Sequence, residues 1–63
     1  TAIDDLSMAI KLNAHNSAYF YNRGLAHHQL NHTEEACQDW TKAKELKAEK
    51  AEKMLAKYCN QSN

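Results

Sequence analysis

The sequence has no proline and no valine, and Gly24 is the only glycine among its 63 residues. Ten alanines and the absence of proline favour helix, and the small number of β-branched residues argues against a sheet. The composition therefore predicts an all-α fold. Cysteine is also scarce: Cys37 and Cys59 are too few for a disulfide scaffold, so a reducing compartment or simple buried thiols is the default expectation, and the redox state of the two cysteines stays open.

An excess of charge of one sign is missing as well. Eight Lys and Arg balance eight Asp and Glu, so the chain lacks the positive field that binds a phosphate backbone, and we expect no nucleic-acid partner. No run of about 20 apolar residues is present, and we expect no membrane partner. The length allows one small domain. The chain starts without methionine, so we expect a piece of a longer protein. No leader pattern is found in this piece, and its localisation is open, with a preference for the cytoplasm.

An internal repeat organises the apolar residues. Shifting the sequence by 34 positions superimposes five apolar positions on five others, and within each copy they recur at three- and four-residue steps, as on one face of a helix. The superimposed pairs are Ala2 with Ala36, Ile3 with Cys37, Leu6 with Trp40, Ala9 with Ala43, and Leu12 with Leu46.

The repeat predicts two copies of one amphipathic helix, Thr1 to Leu12 and Thr33 to Leu46. A second helical pattern of different composition, from Tyr19 to Leu30, lies between them. Polar turn formers cluster at Asn13 to Ser17 and at Asn31 to Thr33, and we expect the helices to end and begin there. The chain is thus predicted to alternate two kinds of helix.

Gly24 lies in the middle of the predicted second helix, where glycine costs about 1 kcal/mol relative to alanine. We expect it to allow close approach of a neighbouring backbone. Ala36 and Ala43 lie seven residues apart on the facing helix and are small in the same way. Large side chains are expected to fill the spaces between the helices: Trp40, Phe20, Leu6 and Tyr19.

These residues resemble the tetratricopeptide repeat, whose 34-residue period matches. The resemblance covers essentially the whole chain and identifies 1–16 as the second helix of a preceding repeat, 17–50 as a complete repeat, and 51–63 as a capping helix and tail. It departs from the usual pattern at Ala14 and Ala48, which stand in place of proline, and at Arg23, which stands in place of leucine. The matching residues are Phe20, Gly24, Ala26, Leu30, Ala36, Trp40, Ala43 and Leu46.

The resemblance implies an α-solenoid fragment of three to four helices that binds a protein or peptide segment on a concave surface. The alternative is a structural role, in which the chain caps a longer array and has no ligand of its own. Self-association is a further expectation, through helix swapping or through the first helix. By position in the repeat, the concave face consists of Ala18, Tyr21, Leu25, His28 and Gln29, continued by Leu55.

Two conformations are open for the last third of the chain. From Leu46 to Met54 every residue is a strong helix former, and no glycine, proline or asparagine forces a turn. A hairpin form bends near Lys47 to Glu49, whereas a straight form runs as one helix from Thr33 to about Tyr58 and buries its end against a second chain. An intramolecular Cys37–Cys59 crosslink would exclude the straight form.

Evidence for catalysis is weak, and we expect no enzyme, metal or cofactor. His28 and His32 have a spacing that places two imidazoles on one helix face, but no third ligand accompanies them in the sequence. Adjacent acidic residues such as Glu34 and Glu35 diverge by about 100° around a helix and are typical of a helix start. No glycine-rich phosphate loop is present.

Overall fold

A computed structural model describes residues 1–59 and confirms the all-α prediction. Four α-helices pack with antiparallel contacts, and a π-helical turn continues the last of them. None of the described helices is long and apolar enough to cross a bilayer. The predicted tail at residues 60–63 lies outside the described part. The helices are α1 (Ala2–Leu12), α2 (Ser17–Gln29), α3 (Thr33–Glu45) and α4 (Glu49–Met54), and the π-helical turn is Leu55–Cys59.

Helices α2 and α3 begin at the two polar clusters, as predicted. The Thr1 hydroxyl and the Asp4 carboxylate form a reciprocal capping box at α1, and the Asn16 side chain accepts a hydrogen bond from the Ala18 N–H at α2. His32 precedes α3 without a side-chain cap. Glu34 and Glu35 lie in the first turn of α3, where negative charge stabilises the positive end of the helix dipole.

Helices α2 and α3 end in the same way. Asn31 and Lys47 adopt positive φ, 64° and 77°. The His32 N–H donates to the His27 carbonyl, and the Ala48 N–H donates to the Ala43 carbonyl. Each is the long hydrogen bond of a Schellman motif, which satisfies carbonyls at a helix C-terminus.

The chain therefore takes the hairpin form, with a bend between Glu45 and Glu49. The straight alternative is wrong for this structure. Lys47 makes the bend although it is not a residue type that favours positive φ. The contact that accompanies the motif is present, because Ala43 is fully buried and Ala48 packs against the same core.

The core is centred on Trp40, which is fully buried between the helices together with Ala36, Ala43 and Ala51. Gly24 is also buried, as predicted, but the group that approaches it is not a backbone. A Cβ atom added at Gly24 would lie 2.5 Å from Nε1 of Trp40. The glycine thus makes room for the indole ring, whose Nε1 donates to the Tyr21 carbonyl at 3.2 Å.

The other residues predicted for the core differ in their burial. Phe20 is buried, but Leu6 and Tyr19 are only half-buried. Helix α1 has no buried residue at all. Ala36, Trp40 and Ala43 are fully buried, whereas their 34-residue equivalents are exposed or half-buried. The repeated sequence pattern therefore lies in two different environments.

Cys37 and Cys59 form a disulfide between α3 and the π-helical turn, with their Cα atoms 5.8 Å apart. The expectation of two buried thiols is wrong here. The bend at Lys47 brings the two cysteines, 22 residues apart, to the same level of the bundle. The disulfide fixes the π-helical turn to α3.

Candidate functional site

The candidate site is a cleft between the first turns of α2 and the α3–α4 bend, with a volume of about 510 Å³. We call it the turn cleft. Two of the six residues predicted for the concave face, Ala18 and Tyr21, line it. Ala18 is exposed and Tyr21 half-buried, so the phenol has an apolar side against the core and a side towards the cleft. The other lining residues are Ser17, Asn22, Lys47, Ala48, Glu49 and Lys50.

The structure does not bring the other four predicted residues into this cleft. Leu25 and Leu55 pack against the core, and Gln29 is exposed at the last position of α2. The His28 ring lies 4.3 Å from the ring of Tyr58 and 5.7 Å from that of Trp40, measured between centroids. His28 is thus occupied by contacts within the chain.

A partly buried ion pair lies on the other side of α2. Arg23 donates two hydrogen bonds to the Asp39 carboxylate, at 2.8 and 2.9 Å, and a third to the Ser7 hydroxyl at 3.1 Å. Asp39 is only 6% exposed. The hydrogen bonds from Arg23 to Asp39 raise the pKa of its guanidinium against the opposing effect of burial. This arrangement joins α1, α2 and α3 through one side chain, and its paired geometry is typical of a structural element.

A second opening, of about 480 Å³, lies between α3 and the last helical segment. We call it the disulfide groove because Cys37 and Cys59 both line it, together with Thr41, Lys44, Glu52, Leu55 and Ala56. Leu55 therefore faces a different opening from Ala18 and Tyr21. Both cysteines are half-buried, so the disulfide is accessible from this groove.

The histidines form no metal centre within residues 1–59, where no group of three potential His, Cys, Asp or Glu ligands comes together. His27 Nε2 lies 3.6 Å from the Asp39 carboxylate. The Nδ1 atoms of His27 and His28 are buried without a hydrogen-bond partner in the described part of the chain. His32 lies with its ring centroid 5.9 Å from that of His27.

Two features around the site were not predicted from the sequence. Lys47 and Lys50 line the turn cleft because the chain bends, and no turn signal identifies that bend. The Arg23–Asp39 pair joins residues 16 apart on different helices. The sequence held one signal of this pair: Arg23 stands where the tetratricopeptide repeat has leucine, and a buried cation needs a partner.

Comparisons with models of protein families, with curated proteins and with solved structures find no match to this chain.

Proposed function

We propose that the chain is a protein-interaction module of the tetratricopeptide-repeat type, which binds a peptide or protein segment beside α2. The observation that supports this most is the turn cleft, which remains open at Ala18 and Tyr21 while the neighbouring face of α2 is packed against α3. A cleft lined by an aromatic ring, small side chains and a few polar groups offers contact area together with hydrogen bonding.

The α2–α3 pair supports the repeat interpretation. Gly24 and Trp40, two of the residues that carry the resemblance, pack against each other, and both helices end in the same hydrogen-bonded motif. Because the large Trp40 side chain is accommodated inside the pair, the α2 edge that carries Ala18 and Tyr21 is left to face a ligand.

Selection of peptides from a displayed library on the oxidised chain tests this proposal. An enriched peptide is titrated into labelled protein while backbone amide signals are followed by NMR. We expect the largest changes around Ala18, Tyr21 and Lys50, and we expect Tyr21→Ala to weaken binding at least about tenfold, as for an aromatic hot spot. Lys42→Ala, on exposed α3 surface, is the matched control and should leave affinity unchanged. Failure to enrich any peptide, or changes confined to α1, would contradict the proposal.

A second candidate function is that of a capping segment of a longer helical array. It is favoured by α1, in which Leu12 is 83% exposed and no residue is buried although its stripe matches that of α3. If α1 needs a neighbour, the oxidised chain should self-associate as its concentration rises, and Leu12→Lys should suppress this. Sedimentation of both proteins measures the effect, and an oxidised chain that stays monomeric throughout argues against this role.

A further inference from the structure

We propose that the Cys37–Cys59 disulfide controls the exchange of residues 49–59 between two copies of this chain. With the disulfide intact, residues 49–59 stay packed on their own α3. When a dithiol reduces it, residues 49–59 leave their own α3 and pack at the same place on a second copy, which gives a two-fold symmetric, domain-swapped dimer. This inference does not depend on peptide binding at the turn cleft.

The disulfide prevents the straight form by geometry alone. Its cysteines are 22 residues apart and lie on either side of the bend, with Cα atoms 5.8 Å apart. In one continuous helix the same Cα atoms would be about 33 Å apart at about 1.5 Å per residue. No disulfide spans such a distance. The intact bond therefore requires the bent form, and breaking it is necessary before α3 and α4 can merge.

The bend itself opposes straightening only weakly. Lys47 holds a positive φ of 77°, a conformation that side chains with a Cβ atom disfavour. The residues from Leu46 to Met54 are all strong helix formers. A continuous helix would relieve the conformation of Lys47 and add regular backbone hydrogen bonds across the bend. Short hinges under local strain are the usual site of domain swapping.

A released segment has one surface that fits it, and every copy carries that surface. Ala51 is fully buried, and Met54, Leu55 and Tyr58 pack against the core. The Tyr58 ring lies 5.9 Å from that of Trp40, between centroids. In the swapped dimer each copy provides this surface to the other copy's residues 49–59, so the same apolar contacts form between chains and none is left uncovered.

The chemistry needs a dithiol that can enter the disulfide groove. A thiolate of the dithiol attacks one sulfur of the Cys37–Cys59 bond, which breaks and leaves a mixed disulfide and one cysteine thiolate. The second thiol of the reductant then attacks the mixed disulfide, and the reductant leaves as a cyclic disulfide. Two electrons and two protons pass to the cysteines. An added small-molecule disulfide reoxidises the dimer by the reverse exchange: it accepts two electrons and two protons from each pair of cysteine thiols and leaves as two thiols, and Cys37 of each copy becomes joined to Cys59 of the other.

The test mixes equal amounts of isotopically heavy and light chain, reduces them, incubates them over a concentration series, and reoxidises them. Mass spectrometry of the digested, non-reduced product then identifies which Cys37 peptide is joined to which Cys59 peptide. At high concentration we expect about half of the Cys37–Cys59 links to be of mixed label, as random pairing of copies in a two-fold dimer requires. A mixture that is never reduced is the control and should contain no mixed links.

Cys37→Ser combined with Cys59→Ser separates swapping from disulfide scrambling, since this variant has no thiols. It should sediment as a dimer at high concentration and retain its helical circular dichroism. Lys47→Gly on that background favours the bend and should weaken dimerisation about fivefold or more, whereas Lys47→Ala should not weaken it. A serine variant that stays monomeric or unfolds, or links of one label only after reduction, would overturn the proposal.

Discussion

Gly24 sets the distance between α2 and α3. Its missing side chain leaves space for the Trp40 indole, which could not keep its place beside a Cβ atom 2.5 Å away. Because Trp40 is fully buried, it has little room to move. The glycine is therefore required by the fold although it weakens α2 as an isolated helix.

We expect Gly24→Ala to lower the free energy of unfolding by about 1–3 kcal/mol through overpacking. Helix propensity alone predicts the opposite sign, a gain of about 1 kcal/mol. Urea denaturation followed by tryptophan fluorescence measures the change. Asn22→Ala on the exposed face of α2 is the control and should not destabilise the chain; a stabilised Gly24→Ala variant would show that the indole is free to move.

Replacing only one residue of the Arg23–Asp39 pair should lower the free energy of unfolding strongly. Arg23→Leu leaves the Asp39 carboxylate buried without its cation, and we expect a loss of about 3–5 kcal/mol in unfolding free energy. Arg23→Leu combined with Asp39→Leu removes both charges and should lose much less. Thermal and urea unfolding of Arg23→Leu, Asp39→Leu and the double variant complete a double-mutant cycle. Losses of unfolding free energy that simply add would contradict strong coupling between the two residues.

The same pair determines one aspect of pH dependence. The pKa of Arg23 is raised in the folded chain, so the guanidinium is more strongly protonated there than in the unfolded chain. Its contribution to stability is fully present below the ordinary arginine pKa and is lost only as the pH rises through the raised value. Arg23 therefore carries its charge throughout the physiological range.

At the scale of elements, the α3–α4 bend is a turn that its local sequence does not favour, because Lys47 adopts positive φ there. We expect Lys47→Gly to raise the free energy of unfolding of the oxidised chain by about 1 kcal/mol, because glycine adopts positive φ without a Cβ clash. Lys44→Gly, inside α3, is the matched control and should cost about 1 kcal/mol. Equal effects of the two substitutions on the urea midpoint would show that Lys47 is not under strain.

Helix α1 is expected to open before the rest of the molecule. It has no buried residue and connects to the core through Ile10 and through the Ser7–Arg23 hydrogen bond. Native-state hydrogen exchange should show protection in α1 at least about tenfold below that in α2 and α3. Similar protection in all three helices would indicate that α1 unfolds only with the whole chain.

For the whole molecule, the disulfide compensates for a small core. Only five apolar residues are buried among residues 1–59, and a domain of this size has little stability to spare. Replacing both cysteines by serine should lower the free energy of unfolding of the monomer by about 3 kcal/mol, given the length of the loop that the bond closes. Calorimetry at low concentration, where any dimer is dissociated, measures the loss. An unchanged transition would mean that the bond does not constrain the unfolded chain.

Most of the fold could be predicted from the sequence. The first three helices, the acidic first turns of α1 and α3, and the burial of Gly24 could be expected from apolar spacing, capping residues and one glycine inside a helical pattern, all of which are local signals. The close approach of the Trp40 indole to Gly24 was not predicted, because a neighbouring backbone was expected there. The concave binding face stays a prediction. Ala18 and Tyr21 line an open cleft. His28 was predicted on the same face, but its ring contacts Tyr58. That contact could not be predicted because it depends on where the last segment folds back.

The sequence by itself determined that this protein is helical and that Ala36, Trp40 and Ala43 of α3 turn inward, because a period of 3.6 residues places them on one face. Only the tertiary structure decided that the chain bends at Lys47, that Arg23 pairs with Asp39, and that Cys37 bonds to Cys59. The physical reason is that Leu46 to Met54 is locally compatible with one straight helix. The bend results from burying Ala51 against α3, a gain that depends on residues far away along the chain.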